Sequence, residues 1–292
     1  MVFTVPQAVG GAQPVAVTCT SQPGAGFPVG QTTVTCTATD SLSRTASCSF
    51  SVTIRETPRI SKTSFMAFGD SITNGVKSDP IAAGDLQFWV RPFSLGDSHS
   101  YPFKLNTLLK SRYAVQTLTV VNRGVGGEVA SDILSPSDRI AGEERFRTEM
   151  QTYRPEIVLL MEGTNDLYFG DDAALRYGIA ALDRMISEAQ GQGARVFLAT
   201  IPPQRSGRFS DRTRVAPQIP GFNNEILALA SRRGLTVVDV YSALNANLNL
   251  YIGDDDLHPT EAGFAKIAET FYDVLRANLE VSQGATSGRS RR

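Results

Sequence analysis

The sequence predicts an α/β protein: a doubly wound three-layer sandwich around a five-stranded parallel sheet, preceded by a small all-β module. From residue 64 onward, near-continuous apolar strands alternate with helical patterns, as is typical of a parallel sheet covered on both faces. The first 55 residues instead form short alternating segments rich in Thr, Ser and Val. Five strand–helix units fit an open sheet, since a closed barrel of this type needs eight.

The composition is that of an ordinary soluble protein of 292 residues, with 41% hydrophobic and 20% charged side chains. Its formal net charge of -1 gives no electrostatic reason to expect nucleic acid or an anionic membrane surface as a partner. No apolar run approaches the roughly 18 residues of a transmembrane helix. The first residues lack the layout of a signal peptide, so we expect any export signal to have been removed or to lie outside this sequence.

The first 55 residues are predicted to form a β-sandwich module. Up to Ile54, the only charged side chains are Asp40 and Arg44. The segments that alternate and are rich in β-branched residues are 15–20, 33–38 and 47–54. Turn signals separate these segments at 22–26 and 39–43, which is the spacing of short strands in a sandwich.

All three cysteines of the chain, Cys19, Cys36 and Cys48, lie in this module. Cysteines concentrated in a small β-rich segment indicate a disulfide and therefore an oxidising compartment, so we expect a secreted, extracellular or cell-envelope protein. Their odd number leaves two alternatives: one thiol is free, or its partner lies outside this sequence. The pairing among the three stays open.

The module resembles the hyalin repeat (HYR), an immunoglobulin-like domain of extracellular proteins. The resemblance rests on three stretches: Phe27-Pro28-Val29-Gly30, Val34-Thr35-Cys36-Thr37-Ala38-Thr39-Asp40 and Ala46-Ser47-Cys48-Ser49-Phe50. It covers only the later part of such a module, which implies that the first strands and the first cysteine are missing. The module is then either a β spacer without a ligand of its own or a device for docking onto a polysaccharide or cell surface.

A linker at 56–63, which contains Pro58, leads to the larger domain at 64–281. The strands of this domain are predicted at 64–69, 117–123, 156–162, 195–201 and 235–240. The helices are predicted at 101–111, about 138–151, 172–190, 219–233 and about 260–279. The Gly/Ser/Arg-rich tail at 282–292 is predicted to be disordered.

The stretch 76–100 is too long for an ordinary connection between a strand and a helix. It contains Phe88, the single tryptophan Trp89, and Phe93. Long loops above an active site often carry specificity, so this one is either a substrate-binding flap or a loop that its aromatic residues pin to the domain. Our candidates for contact with a substrate are Trp89, Phe93 and, beside the first strand, Asp70.

Ser71 is the candidate nucleophile. It lies in Gly69-Asp70-Ser71-Ile72-Thr73, where an apolar strand ends, and open α/β sheets gather their chemistry at that edge. A serine hydroxyl needs a base, an orienting acid and donors for the developing oxyanion. The motif is not a Gly-x-Ser-x-Gly elbow, because Thr73 stands where the second glycine is needed.

Two further motifs follow strands and can supply oxyanion donors. The first is Asn122-Arg123-Gly124-Val125-Gly126-Gly127-Glu128, in which a glycine can direct its backbone N–H into a site. It is not a dinucleotide fingerprint, because Val129 replaces the last glycine. The second is Gly163-Thr164-Asn165-Asp166, whose asparagine amide is a donor. The alternatives are a structural glycine turn and an Asn-Asp turn that caps the next helix.

The candidate base is His258, one of only two histidines, in Gly253-Asp254-Asp255-Asp256-Leu257-His258-Pro259. A carboxylate three residues earlier, Asp255, can bond its Nδ1 and leave Nε2 facing the serine. The three aspartates are alternatively calcium ligands, although the segment lacks the twelve-residue spacing of an EF-hand loop. His99 is a weaker candidate, because no acid stands at similar spacing beside it.

Together these four motifs resemble the sequence blocks of the SGNH (GDSL-type) hydrolases, in the same order. The resemblance implies a flavodoxin-like α/β/α sandwich and an esterase, lipase, thioesterase or carbohydrate acetylesterase. It implies Ser71 as nucleophile, His258 as base and Asp255 as acid. The implied oxyanion hole consists of the backbone N–H groups of Ser71 and Gly127 and the Asn165 amide. Gly127 is chosen because it stands five residues after Asn122, as in the family block. No metal or organic cofactor is implied.

The resulting hypothesis is a secreted serine esterase acting on a lipid or acyl ester or on an O-acetylated carbohydrate. The alternative is a non-catalytic extracellular adhesion protein that uses the HYR-like module and keeps a hydrolase fold as a scaffold. The loop at 202–217 contains four arginines, which favour either an anionic substrate or a solvated face: Arg205, Arg208, Arg212 and Arg214.

Overall fold

The computed structural model describes residues 2–78, 93–95, 97–134, 141–170, 174–206 and 210–281, with the backbone alone at 93–95, 174 and 210–212. The chain divides into two compact units, with the boundary between Thr57 and Pro58. The predicted tail at 282–292 and the predicted start of the helix at 138 lie outside the described residues.

The first unit contains an antiparallel sheet of three strands in the order β1-β2-β3, which confirms a small β module. These strands are β1 (Ala16–Cys19), β2 (Gly30–Thr39) and β3 (Thr45–Ile54). Val34 and Val52 form its apolar core together with Cys19 and Cys36. A disulfide joins these two cysteines across β1 and β2, whereas Cys48 on β3 is exposed as a free thiol. The pairing that the sequence left open is therefore Cys19–Cys36.

Within the described residues, the strands of the second unit are β4 (Arg59–Ile60), β5 (Ser64–Gly69), β6 (Val76–Ser78), β7 (Phe93–Leu95), β8 (Thr119–Gly124), β9 (Ile157–Met161), β10 (Arg195–Ala199), β11 (Thr236–Val238) and β12 (Glu280–Val281). Five of them form the predicted parallel sheet, in the order β11-β10-β9-β5-β8. Strand β5 comes first in the sheet and lies between β8 and β9, so the chain winds outward in both directions. This is the flavodoxin-like strand order.

Helices cover both faces of the sheet, which confirms the three-layer sandwich. They are α1 (Ser71–Asn74), α2 (Tyr101–Arg112), α3 (Gly142–Tyr153), α4 (Thr164–Phe169), α5 (Ala174–Gly191), α6 (Ser210–Val215), α7 (Ile219–Arg233), α8 (Val240–Asn245), α9 (Leu248–Tyr251) and α10 (Glu261–Leu279). Alternate side chains of a strand point to opposite faces. Phe65 and Ala67 of β5 accordingly join the core formed with α2 and α10, and Met66 and Phe68 join the core formed with α3, α5 and α7.

The linker predicted at 56–63 contains β4, which pairs antiparallel with β12 and so belongs to the second unit. The Gln116 side chain fixes this strand by accepting a hydrogen bond from Ile60 N–H (2.8 Å) and donating one to the Ile60 carbonyl (2.9 Å). Because these contacts join residues far apart in the chain, local composition does not reveal them. The short helices α1, α4, α6, α8 and α9 also escaped the sequence analysis, since four to six residues show no clear helical period.

Gly124 ends β8 directly against α1, and a side chain there has no room. A Cβ atom at this position would lie 2.0 Å from Asn74 N and 2.5 Å from Thr73 C, which are backbone atoms. We expect Gly124→Ala to lower the free energy of unfolding by about 2 kcal/mol or more, because backbone must move to admit the methyl group. For a domain of this size, the melting temperature in a thermal scan should fall by several degrees.

Gly126→Ala is the matched control, because a Cβ there meets nothing within 4 Å. Its melting temperature should stay near that of the wild type. Equal melting temperatures for the two variants would contradict the close approach of β8 to α1.

Candidate active site

Three polar segments follow neighbouring strands of the parallel sheet at their carboxyl ends. Ser71 follows β5, Gly127 follows β8 and Asn165 follows β9. Because β5 lies between the other two strands, this edge is where the direction of winding changes. Open α/β sheets bind ligands at such a switch point.

The single turn of α1 holds Ser71 at its first position. The Asp70 carboxylate accepts a hydrogen bond from the backbone N–H two residues on, at 2.8 Å, and so caps the helix. Gly75 ends the turn with a φ of 103°, which glycine adopts without steric cost. The Asn74 amide also donates to the Gly124 carbonyl at 2.7 Å and thereby ties the turn to β8. Ser71 is thus fixed at the sheet edge with 8% of its surface exposed.

His258 lies between Ser71 and Asp255 and contacts both. Its Nε2 is 2.9 Å from Ser71 Oγ, and its Nδ1 is 2.5 Å from Asp255 Oδ2. The other oxygen of Asp255 accepts the backbone N–H groups of Leu257 (3.1 Å) and His258 (2.9 Å). Burial by itself would raise the pKa of Asp255, but the bonds from the His258 ring and from these N–H groups lower it below its ordinary value. An ionised carboxylate therefore orients the imidazole toward the serine.

The neighbouring aspartates and the second histidine have other partners. Asp256 Oδ1 accepts a hydrogen bond from Arg205 Nε at 2.9 Å. Within the described part of the chain, no group of three or more His, Cys, Asp and Glu side chains is arranged to hold a metal ion. His99 Nδ1 lies 3.0 Å from Glu261 Oε2, and the Glu261 side chain is 54% exposed.

The two predicted oxyanion donors outside α1 lie on segments that hydrogen-bond to each other. Gly127 has a φ of 75° in the turn after β8, a left-handed conformation that favours glycine. Asn165 Nδ2 donates to the Glu128 carbonyl at 2.7 Å. An amide nitrogen carries two hydrogens, so this bond leaves a second donor on Asn165. The same side chain thus fixes the turn of Gly127 and keeps a donor for another acceptor.

Asp166, which the sequence presented as part of a turn, reinforces this connection. Its carboxylate accepts the backbone N–H groups of Ala130 (2.8 Å) and Ser131 (3.2 Å). Gly163 has a φ of 122°, and the Phe222 ring fills the space that a Cβ would need there. The segment that contains Asn165 is therefore packed on one side and hydrogen-bonded on the other.

One of the three candidates for substrate contact has a described side chain. Asp70 is 1% exposed, and its carboxylate caps the helix that begins with Ser71. Trp89 and the Phe93 side chain lie outside the described residues. The base of their long loop is a hairpin of β6 and β7, and Ser78 Oγ at the end of β6 accepts the Asp255 N–H at 3.2 Å.

Of the four arginines in the loop after β10, two have described side chains. Arg214 donates to the carbonyls of Leu167 (3.5 Å) and Tyr168 (2.5 Å). Arg205 binds the turn that precedes His258. Both guanidinium groups are thus engaged within the protein, whereas Arg208 and the Arg212 side chain lie outside the described residues.

A cluster of buried acids beneath the site was missed by the sequence analysis. Burial raises the pKa of Asp70 and of Asp166 to about 6. Burial also raises the pKa of Glu128, although Arg145 binds its carboxylate at 2.6 and 2.5 Å. Glu162 is 1% exposed, and neither of its carboxyl oxygens has a hydrogen-bond partner among the described residues. The sequence contained one indication of this cluster, which is that Glu162 follows the apolar strand β9 directly.

Comparisons with known proteins match both units of the chain to known families. The model of the GDSL-like Lipase/Acylhydrolase family matches residues 67–266, and the model of the HYR domain matches residues 1–54. A multidomain esterase of Ruminococcus flavefaciens is 25% identical over 138 residues. Those residues are 46% of this chain and 17% of that protein, so the chain spans only a small part of the relative's length.

Solved structures share the fold at lower identity. The lipase/acylhydrolase from Enterococcus faecalis has a TM-score of 0.58 at 21% identity, over 76% of this chain and 99% of that one. An acetylxylan esterase from Geobacillus stearothermophilus has a TM-score of 0.55 at 22% identity, over 74% and 95%. Within the residues that the structure describes, no helix has the length and apolar character to cross a membrane.

Glu162 should make the protein less stable as the pH rises. Burial, followed by the charges of Asp70, Glu128 and Asp166, raises its pKa well above the ordinary value, and Arg145 opposes this only in part. The folded chain then keeps a proton that the unfolded chain releases above the ordinary glutamate pKa of about 4.3. The contribution of this proton to the free energy of unfolding is therefore fully present below that pH. It is lost as the pH rises toward the folded-state pKa, by at most about 1.4 kcal/mol per pH unit.

Removing the titration with Glu162→Gln tests this. Near pH 4, we expect Glu162→Gln and the wild type to have equal melting temperatures. From pH 5 to pH 8, the melting temperature of the variant should exceed that of the wild type by an increasing amount. Glu225→Gln, at an exposed position of α7, is the control for the change from glutamate to glutamine itself. A constant difference between Glu162→Gln and the wild type across the pH range would mean that Glu162 is ionised in the folded protein.

Proposed function

This chain belongs to the GDSL-like lipase/acylhydrolase family, as its four motifs predicted, and we propose that it is a serine esterase that hydrolyses carboxylic esters through an acyl-enzyme. The observation that carries the proposal is the chain of contacts from Ser71 through His258 to Asp255. A serine hydroxyl becomes an effective nucleophile when a neighbouring base takes its proton, and an imidazole oriented by a carboxylate is such a base.

In the proposed mechanism, His258 Nε2 takes the proton of Ser71 while Oγ attacks the ester carbonyl carbon. The tetrahedral intermediate collapses when the bond to the alcohol oxygen breaks, and the imidazolium gives its proton to that oxygen. The acyl group stays on Ser71. Water then attacks the acyl carbon while His258 takes a proton from it, and the serine leaves with that proton as the carboxylic acid departs. Asp255 stays ionised throughout and stabilises the imidazolium.

We assign the oxyanion hole to the backbone N–H groups of Ser71 and Gly127 and to the second donor of the Asn165 amide. Ser71 N–H is at the first position of α1, where backbone N–H groups have no partner within the helix. The bond from Asn165 to the Glu128 carbonyl supports this assignment, because it holds the amide beside the turn of Gly127. Donors fixed before the reaction are worth about 3–4 kcal/mol each in hydrolases of this kind.

The substrate is proposed to be a lipid or other acyl ester or an O-acetylated carbohydrate. Similarity to a multidomain esterase and to an acetylxylan esterase supports the carbohydrate ester, and the lipase/acylhydrolase relative supports the lipid ester. A panel of acetyl, butyryl and octanoyl esters, extended to acetylated sugars, separates the two. No step requires a metal ion or an organic cofactor.

We further propose that the enzyme works outside the cell or in the cell envelope, with the first unit docking it onto a polysaccharide or cell surface. The Cys19–Cys36 disulfide supports an oxidising compartment. The match of residues 1–54 to the HYR domain supports an extracellular module. Binding of the whole chain to insoluble glycans, compared with a variant that lacks residues 1–57, tests the docking.

The second candidate function is a non-catalytic adhesion protein with a hydrolase fold as scaffold. The exposed face of the small β module is the feature that favours it. The contacts of Ser71, His258 and Asp255 favour the enzyme instead, because a scaffold needs none of them in bonding geometry.

Ser71→Ala removes the proposed nucleophile. Hydrolysis of an aryl acetate should fall by about 10³-fold or more, since members of such a triad act as a unit. Circular dichroism and the melting temperature should stay close to those of the wild type, because only a hydroxyl is removed. Activity near the wild-type level in a folded Ser71→Ala protein would end the proposal of a serine esterase.

Asp255→Asn should impair turnover strongly, by up to about 10⁴-fold, because an amide holds the imidazole in the wrong tautomer. Asp254→Asn is the matched control on the same turn, with a side chain that is 42% exposed. Its kcat on an aryl acetate should stay near the wild type. A larger loss for Asp254→Asn than for Asp255→Asn would show that the acid is assigned to the wrong aspartate.

A further inference from the structure

The turn that carries Asp255 and His258 is held from outside by Arg205. The Arg205 guanidinium donates through Nε to Asp256 Oδ1 at 2.9 Å and through Nη2 to the Gly253 carbonyl. Its backbone N–H donates to the Asp256 carbonyl at 3.0 Å. Arg205 and Asp256 are 51 residues apart in the chain, so these bonds join the loop after β10 to the turn after α9.

The turn needs such support because its backbone is unusual. Asp256 has a φ of 65°, a left-handed conformation that costs most non-glycine residues about 1 kcal/mol or more. Inside the turn, Asp256 N–H donates to the Gly253 carbonyl and Gly253 N–H donates to the His258 carbonyl. Arg205 therefore binds at the residue where the backbone reverses and at the residue where the turn begins.

The guanidinium also balances the charge of three consecutive aspartates. It lies 2.9 Å from Asp256 and 3.6 Å from Asp254, on either side of Asp255 in sequence. The Asp256 side chain is 6% exposed and the Arg205 side chain 22%, so solvent screens this pair only in part. The three aspartates, considered above as calcium ligands, thus have the Arg205 guanidinium as a positively charged neighbour.

The loop that carries Arg205 is itself anchored. The Asn223 amide of α7 accepts a hydrogen bond from Ile201 N–H (2.9 Å) and donates one to the Ile201 carbonyl (3.0 Å). Asn223 and Ile201 are both buried. Asn223 therefore fixes the backbone of this loop four residues before Arg205.

We propose that Arg205 is a positioning residue for the Asp255–His258 pair, which holds the turn so that the imidazole stays within reach of Ser71. This role rests on the proposed function, since it acts through the proposed acid and base. Arg205 does not contact the reacting atoms. Its removal should loosen the geometry of the base and leave the binding of a small ester nearly unchanged.

Arg205→Met and Arg205→Lys test the role with an aryl acetate as the substrate. A displacement of about 1 Å in a catalytic group costs about 100-fold, so we expect kcat to fall 10- to 100-fold in Arg205→Met. KM should change less than twofold. Arg205→Lys should recover part of kcat, because it restores the charge but not the fork of donors. A defect confined to folding would instead lower the yield or the melting temperature and leave kcat per folded molecule unchanged.

Arg112→Met is the matched control, because the Arg112 guanidinium also donates through Nε and Nη2, but to Glu280, and so joins α2 to β12. Its kcat should stay near the wild type. If Arg205→Met fails to fold, Asp256→Asn provides the second measurement, since it weakens the same contact and should lower kcat with KM unchanged. A wild-type kcat in folded Arg205→Lys and Asp256→Asn, or equal losses in Arg205→Met and Arg112→Met, would overturn the positioning role.

Ser71→Ala, measured beside these variants, separates the two proposals. An inactive Ser71→Ala together with a fully active Arg205→Met would remove the positioning role and leave the esterase intact. An active Ser71→Ala would remove the esterase itself.

Discussion

The hydrogen bond between Ser71 and His258 depends on the arrangement of the whole second unit. It spans 2.9 Å between residues that are 187 positions apart, one after the first strand of the parallel sheet and the other after the last. Such a contact forms only when the intervening strands and helices are all in place. The strand order explains how this is achieved, because it puts β5 in the interior of the sheet and directs the motifs of β8 and β9 to the same edge.

The buried carboxyl groups around Ser71 lower the stability of the folded protein. The Asp70 cap of α1 and the Asp166 acceptor are both buried, and burial raises the pKa of each to about 6. Glu162 adds a buried carboxyl without a described partner. Acids with raised pKa values collect where groups are arranged for chemistry rather than for stability. Asp255 shows the opposite shift, because hydrogen bonds to its ionised form outweigh its burial.

The sequence predicted what depends on local pattern and missed what depends on distant contacts. Strand β5 was predicted at the residues where it occurs, because an apolar run and a polar loop mark its ends. Spacing within one turn indicated that the Asp255 carboxylate could reach His258, and the two are in hydrogen-bonding contact. By contrast, the hydrogen bond from Arg205 to Asp256 joins segments that are far apart in the chain, and so does the pairing of β4 with β12. No periodicity or spacing within either segment reports such a contact.

The three consecutive aspartates show how one residue type acquires three environments. Asp254 is 42% exposed, whereas the carboxylates of Asp255 and Asp256 are buried against an imidazole and a guanidinium. Spacing alone does not decide which aspartate contacts His258, since Asp256 is one residue nearer to the histidine along the chain. The backbone at Asp256 is left-handed, and the Asp256 carboxylate bonds to the Arg205 guanidinium instead of to His258. Which carboxylate reaches His258 is therefore set as much by what binds Asp256 as by what binds Asp255.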